Sequence, residues 1–241
     1  MNNLHINAPK GNQAEATMIA KETISTAMQN LREAVTSIAQ SSNKEKVIVE
    51  EFQVIGFDTQ SAVALLTLLE DSQGNLLEDP GAMPAYPNRT IIMKTADGGE
   101  SWHQTLSTRG KVVLNELFFL DTSHFWAIAQ WQKEGTFPTL YWTADFGETW
   151  QESRAIDDFL RDKGHRSVSY AEALRFQSES DGIAIAKGAA PKEKAYFLQT
   201  VDGGKSWEEI PELPGWYSQV RGLDWQERNL WRVDDQEWRS S

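Results

Sequence analysis

Side chains that could do chemistry are spread along this chain rather than gathered into a catalytic motif. Asp157 and Asp158, like Asp234 and Asp235, are adjacent in sequence, which favours solvated or capping groups over the separated carboxylate pair of a glycoside hydrolase. No P-loop, His-Glu-x-x-His or Gly-x-Ser-x-Gly sequence occurs, and no histidines have metal-ligand spacing among His5, His103, His124 and His165. The sequence therefore predicts no enzyme activity and no cofactor, with a carboxylate pair converging from two loops as the alternative.

One pattern, Thr-x-Asp-x-Gly-x-(Ser/Thr)-Trp, occurs at 95–102, 143–150 and 200–207, each time after a short extended run. A tight turn between two strands leaves backbone N–H groups without partners, and an Asp carboxylate can accept hydrogen bonds from them. Glycine two residues later permits a positive φ, and the Trp can cover the turn and fill space beside the next sheet. The repeat therefore predicts three strand–turn–strand units with the structural turn residues Asp97, Gly99, Trp102, Asp145, Gly147, Trp150, Asp202, Gly204 and Trp207.

Acids next to glycines could also suggest a calcium loop. An EF-hand loop needs several carboxylates at alternating positions and a distal Glu, whereas each copy of the pattern has one central Asp. The pattern therefore predicts no metal site.

These octapeptides resemble the Asp box, or BNR repeat, of sialidases, sortilin-type receptors and photosystem II assembly factors. The resemblance extends from Val49 to Glu209. It implies four-stranded β-propeller blades in which the box joins the third and fourth strands and serves structure. It implies no particular activity, because the box occurs in enzymes and in binding proteins. The Phe/Tyr-Arg-Ile-Pro segment of sialidases is absent, and no counterpart of their arginine triad or Tyr/Glu pair is found.

The repeats predict a mainly β chain that forms a small Asp-box β-propeller of about four blades, since blades run about 40–50 residues. Three blades are expected at 51–105, 112–153 and 169–210, with a helical insertion at 153–161. The tail from Gln219 to Arg239 predicts a fourth blade that is one strand short, and a strand at 46–50 could complete it. The alternative is a partial propeller completed by a second chain.

Residues 1–43 are predicted to form a flexible start and an amphipathic helix, followed by the repeat domain at 44–241. Apolar residues recur every three or four positions between Ala14 and Ala39, which places them on one stripe of a helix; they are Ile24, Ala27, Met28, Leu31, Ala34, Val35 and Ile38. We expect this helix to pack within the chain. A dimerisation or partner-docking helix is the alternative.

The net charge is −12 and the chain has no cysteine, which excludes disulfides and thiolate metal sites. The acidic balance disfavours nucleic acid and anionic membranes as partners and permits a basic protein partner. The polar start of the chain has no apolar signal segment, so a cytoplasmic location is expected.

In the implied propeller, the loops between strands two and three and those between blades emerge at the end opposite the box turns. The large insertions fall there, and insertions on one face of a repeat protein often mark its binding surface. The predicted partner-binding residues are Glu70, Asp71, Glu78, Asp79, Tyr86, Trp131, Asp157, Asp158 and Asp162.

The predicted function is a non-catalytic protein-binding module, either an immunity-type inhibitor of a basic toxin or an assembly factor, with a homodimer through the helix or a propeller edge as a further possibility. The alternative is a carbohydrate-binding or sialidase-like glycoside-hydrolysing protein, because the ten tryptophans could include some that stack on sugar rings.

Overall fold

The computed structural model describes residues 13–41, 49–69, 88–108, 112–131, 139–164, 169–188 and 195–215. Most of these residues form β-strands. The elements in chain order are α1 (Gln13–Ser41), β1 (Val49–Gly56), β2 (Ala62–Leu69), β3 (Asn88–Thr95), β4 (His103–Ser107), β5 (Val112–Phe119), β6 (Phe125–Trp131), β7 (Thr139–Thr143), β8 (Gln151–Ser153), α2 (Ala155–Asp162), β9 (Ser169–Phe176), β10 (Gly182–Gly188), β11 (Ala195–Thr200) and β12 (Glu208–Ile210).

The strands form three four-stranded antiparallel sheets, and in each sheet the spatial order follows the chain order. The first sheet contains β1–β4, the second β5–β8 and the third β9–β12. Each copy of the octapeptide lies between the third and fourth strands of its sheet. The prediction of a mainly β chain built from four-stranded antiparallel units is therefore confirmed for the described residues.

Central strands are apolar because both of their faces are covered. In β2 every residue except Leu65 is buried, including Val63 and Leu66, which point to opposite faces because side chains alternate along a strand. The fourth strands β8 and β12 have only three residues each and carry exposed Glu152 and Glu208. Short, charged edge strands discourage pairing with another sheet edge.

The chain divides into two compact units. One comprises Met1–Gly110 and Trp225–Ser241, and the other comprises Lys111–Asp224. Helix α1 shares a core with the first sheet, in which Met28, Leu31 and Val35 pack with Leu66 and Met93. The predicted intramolecular packing of the helix is thus observed, and the helix belongs to the same unit as the first sheet.

The second unit has a core made by the second sheet, the third sheet and α2. Trp126 stacks on Phe176 with ring centroids 3.8 Å apart and planes 9° apart. Ile156 and Leu160 of α2 are buried in the same cluster. The predicted insertion helix therefore exists, and α2 contributes its apolar side to this core.

The predicted closing strand at 46–50 overlaps β1 at its last two residues. Val49 and Glu50 belong to β1, and Val49 pairs with Leu68 of β2. These two residues therefore extend the first sheet. Residues 46–48 and the predicted fourth blade at 219–239 lie outside the described residues.

Candidate functional site

The three box turns share one hydrogen-bond arrangement. In the first, Thr95 Oγ1 accepts from Gly99 N at 2.9 Å and donates to Asp97 Oδ1 at 2.7 Å. The Asp97 carboxylate then accepts from Ser101 N at 3.0 Å and from Ser101 Oγ at 2.5 Å. The turns at 143–150 and 200–207 repeat the four bonds. In all three turns the Asp carboxylate therefore accepts from a backbone amide, and the Ser or Thr hydroxyl and the Thr at the first position belong to the same network.

Positive φ angles occur where the pattern requires them. Gly99, Gly147 and Gly204 have φ of 84°, 78° and 95°. The residue before each has the same handedness, and in the second turn it is Phe146 with φ 57°, where the other copies have glycine. Left-handed backbone is strained for a residue with a side chain, so the second turn keeps its shape despite an unfavourable residue.

Hydrogen bonds lower the pKa of all three box carboxylates to about 2. For Asp97 and Asp145 the largest effect is the hydroxyl of Ser101 or Thr149. For Asp202 burial is the largest effect and acts upwards, but the bonds from Ser206 and Thr200 together outweigh it. These acids are ionised at neutral pH and their oxygens are used within the turn, which makes them poor proton donors for catalysis.

The turns between the first and second strands form a second repeat, which the sequence analysis missed. Asp58 Oδ1 accepts from the amides of Gln60 and Ser61 at 2.7 Å each, and Asp121 accepts in the same way from Ser123 and His124. In the third sheet Ser178 Oγ takes this role. A backbone bond ties each such turn to the neighbouring box turn: Gly98 N–H to Gln60 O, Phe146 N–H to Ser123 O and Gly203 N–H to Ser180 O.

Helix α2 lies at the other end of the second sheet, because β8 runs from the box turn to Ser153 and α2 begins at Ala155. Asp158 and Asp162 are exposed on it. Lys163, just after the helix, pairs with Glu209 at 2.7 Å and lies 5.2 Å from the Phe159 ring centroid. The described part of the predicted binding surface is therefore α2, which displays two carboxylates beside a paired lysine.

Asp157 differs from the expectation of a partner-facing acid, because its side chain is 0% exposed. Neither carboxylate oxygen accepts a hydrogen bond, and the nearest cation is Arg154, whose Nε lies 3.6 Å from Oδ2. Burial raises its pKa to about 7, against the downward effect of Arg154. Asp157 cannot contact a partner in this conformation, since it shares the buried side of α2 with Ile156 and Leu160.

Tyr141 and Glu152 are directly opposite each other on β7 and β8. Burial, followed by the charge of Glu152, raises the pKa of Tyr141 to about 12. A phenol that attacks a substrate needs the opposite shift, towards the phenolate. The pair therefore fits a structural contact on the outer strands better than a nucleophile and its base.

The remaining predicted site residues fall into two groups. The first lies outside the described residues: Glu70, Asp71, Glu78, Asp79 and Tyr86. Trp131 is the last residue of β6, and its backbone alone is described. The described tryptophans have packing roles: Trp102, Trp126 and Trp207 are buried, and Trp150 contacts Phe125 edge to face at 5.2 Å.

Metal and membrane features are absent from the part of the chain that the structure describes. No group of three or more His, Cys, Asp or Glu side chains there could hold a metal ion. No described helix combines the length and the apolar character needed to cross a membrane.

Comparisons with known proteins place the chain in no family. No protein-family model matches it, and no curated protein does. Among solved structures, it is similar to YCF48 bound to D1 peptide, with 13% identity and a TM-score of 0.39 over 68% of this chain and 43% of that chain. It is also similar to a GH74 xyloglucanase from Xanthomonas campestris, with 15% identity and a TM-score of 0.37 over 60% of this chain and 21% of that chain. The chain therefore spans less than half of either structure, and similarity at this level assigns neither an activity nor a partner.

Proposed function

We propose that this chain is a non-catalytic protein-binding module on a β-propeller scaffold whose blades include the three sheets. The observation that carries the proposal is that the box Asp is bonded within its own turn, whereas a helical insertion at the other end of the second sheet presents exposed acids. At the box end, Asp145 is fully engaged in hydrogen bonds within its turn. At the other end, α2 exposes Asp158 and Asp162.

The partner that fits this surface best is a basic protein. The chain carries a net charge of −12, and long-range attraction of this kind accelerates association with a basic surface. Lys163 is paired with Glu209, but α2 also exposes Arg161, so the attraction rests on the net charge of the chain rather than on α2 alone. Within this class, we propose a cytoplasmic role as an immunity-type inhibitor of a basic toxin, with an assembly factor as the other member of the class.

The test begins with capture of a stoichiometric partner from the native host and continues with its affinity for matched variants. Asp158→Asn with Asp162→Asn removes the two exposed charges of α2. Exposed surface pairs contribute about 0.2–1 kcal/mol each, so the double variant should bind roughly two- to thirty-fold more weakly. Glu100→Gln with Glu148→Gln removes two exposed acids of the box turns and should bind like the unsubstituted chain. Equal affinity of the α2 variant would exclude this surface.

The second candidate function is glycoside binding or hydrolysis, and the phenol and carboxylate to test for it are Tyr141 and the directly opposite Glu152. A panel of chromogenic glycosides tests it. We expect no turnover, since both burial and Glu152 hold the phenol protonated. Turnover that Glu152→Gln abolishes would overturn the non-catalytic proposal.

A further inference from the structure

The first and third sheets each have one face that buries equivalent residues. We call it the tryptophan face of each sheet. In the box alignment, Met93 corresponds to Leu198 and Trp102 to Trp207. Met93 and Trp102 lie in one buried cluster with Leu66 and Ile91, and Leu198 and Trp207 lie in another with Ala184. The two sheets therefore bury equivalent positions, and what covers each face can be compared.

On the third sheet, the preceding sheet covers the tryptophan face. Phe118, Trp126, Ile128 and Leu140 of the second sheet belong to its cluster. Trp126 also donates its indole N–H to Gly203 O in the third box turn at 3.2 Å. A blade thus packs on this face and bonds to the box backbone.

On the first sheet, helix α1 covers the same face. Ala27, Met28, Leu31 and Val35 are at most 3% exposed and belong to the cluster that contains Trp102. Asn30 donates through Nδ2 to Gly99 O at 2.8 Å and to Glu100 O at 3.2 Å. The helix therefore supplies both the apolar contact and a donor to the box backbone.

The hydrogen bonds of the box tryptophan change accordingly. Trp207 donates its indole N–H to Gly204 O in its own turn at 3.2 Å. In the first sheet the equivalent indole, that of Trp102, donates to Ala27 O of α1 at 3.0 Å. The equivalent carbonyl, that of Gly99, accepts from Asn30 instead. One bond within the turn is thus replaced by two bonds to the helix.

We propose that α1 is a blade substitute: it occupies on the first sheet the position that a preceding blade occupies on the third, and it prevents another blade from packing there. The tryptophan face of the first sheet is accordingly a helix-docking surface. This surface binds a helix that has an apolar stripe. The helix also needs a side-chain amide one turn after the residue whose carbonyl accepts the indole N–H of Trp102. The inference is independent of the proposed partner-binding function, which concerns α2.

Exchange of the helix in trans tests the proposal. A protease site inserted between Ser41 and Val49 of the full chain allows α1 to be separated after folding, and the cleaved helix should stay bound on a sizing column. A labelled peptide of residues 13–41 should then replace it. The same peptide with Asn30→Ala should bind about tenfold more weakly, because it lacks two hydrogen bonds. The Gln29→Ala peptide is the control, since Gln29 bonds within the helix to Glu33, and it should bind like the unsubstituted peptide.

Hydrogen exchange distinguishes the loss of α1 from the first sheet from a general unfolding of the chain. Leu31→Asp in the full chain should reduce amide protection in β1–β4 and increase self-association through the uncovered face, while β5–β12 stay protected. Thr36→Asp, at an exposed position of α1, should leave both unchanged. Release of the cleaved helix with full protection of β1–β4 would overturn the proposal, as would equal binding of the Asn30→Ala and unsubstituted peptides.

Discussion

The aspartates of the box turns illustrate how a charged side chain can be committed to local structure. Each carboxylate accepts from a Thr hydroxyl, a Ser or Thr hydroxyl and a backbone amide within eight residues of chain. Hydrogen bonds to a charged group contribute about 1.5–3 kcal/mol each, less where water competes. Asp157 is the opposite case, because its carboxylate is buried and accepts no hydrogen bond.

Asp97→Ala should lower the free energy of unfolding by about 1–3 kcal/mol at pH 7, since it leaves Ser101 N–H and Thr95 Oγ1 without their acceptor. The folded pKa of about 2 lies below the unfolded value near 4. The stabilisation is therefore present above pH 4 and is lost as the pH falls through 2. Urea titrations at pH 7 and pH 2.5 measure the change, with Glu100→Ala as the exposed control. A difference between Asp97→Ala and the unsubstituted chain that is the same at both pH values would contradict this role.

Asp157→Asn should become the more stable form as the pH rises. The folded pKa of about 7 lies above the reference value of 3.8. Between these two pH values the folded chain therefore keeps a proton on Asp157 that the unfolded chain has lost. The contribution of protonated Asp157 to the free energy of unfolding is fully present below pH 4 and is lost as the pH rises through 7. Relative to the unsubstituted chain, the variant should gain about 1–3 kcal/mol between pH 5 and pH 8.

Asp158→Asn provides the control for this change, because Asp158 is adjacent on the same helix and exposed. Its stability relative to the unsubstituted chain should change little over the same range. Thermal unfolding across the pH series measures both variants. A flat profile for Asp157→Asn would mean that the carboxylate is hydrated in solution.

Turns and sheets interlock through close contacts that a glycine permits. A Cβ on Gly204 would come within 2.5 Å of Leu140 Cδ2 in the second sheet, whereas a Cβ on Gly164 would meet nothing within 4 Å. Both residues have positive φ, 95° and 86°. The pair therefore separates backbone strain from packing.

Gly164→Ala should cost about 1 kcal/mol, as expected for left-handed backbone alone. Gly204→Ala should cost about 3 kcal/mol or more, because the added methyl must displace Leu140 from a filled core. Denaturant unfolding of the two variants gives the comparison. Equal costs would show that the third box turn does not pack against the second sheet as described.

The elements could be predicted from sequence wherever one pattern recurs with little variation. The boxes have an invariant Thr, Asp, Gly and Trp, so three strand–turn–strand units followed directly. The first-to-second-strand turns were missed because their capping residue changes from Asp58 and Asp121 to Ser178. A search for a capping side chain before each central strand would have found them.

The misplacement of Asp157 has a comparable cause. Adjacent acids suggest a solvated pair, but Ile156 and Leu160 are four residues apart and Asp157 is three before Leu160. All three therefore lie on one side of α2, and all three are buried. The helical spacing contained this information, whereas residue type alone pointed to the surface.

For the whole molecule, charge distinguishes the two candidate functions. A chain with a net charge of −12 attracts a basic protein over distances that salt shortens to about 8 Å at physiological ionic strength. A neutral glycan experiences no such attraction.

Raising the salt from about 50 to 300 mM should therefore lower the association rate of a captured basic partner by about tenfold, with a smaller change in its dissociation rate. Surface plasmon resonance with the captured partner measures both rates. A salt-independent association rate would point to an apolar or uncharged ligand instead.

The central claim is that the box turns maintain structure while the end carrying α2 binds the partner. Hydrogen exchange of the whole chain, with and without its captured partner, tests this most directly. We predict added protection in α2 and unchanged exchange in the turns at 95–102, 143–150 and 200–207. Protection of those turns with α2 unchanged would contradict the claim.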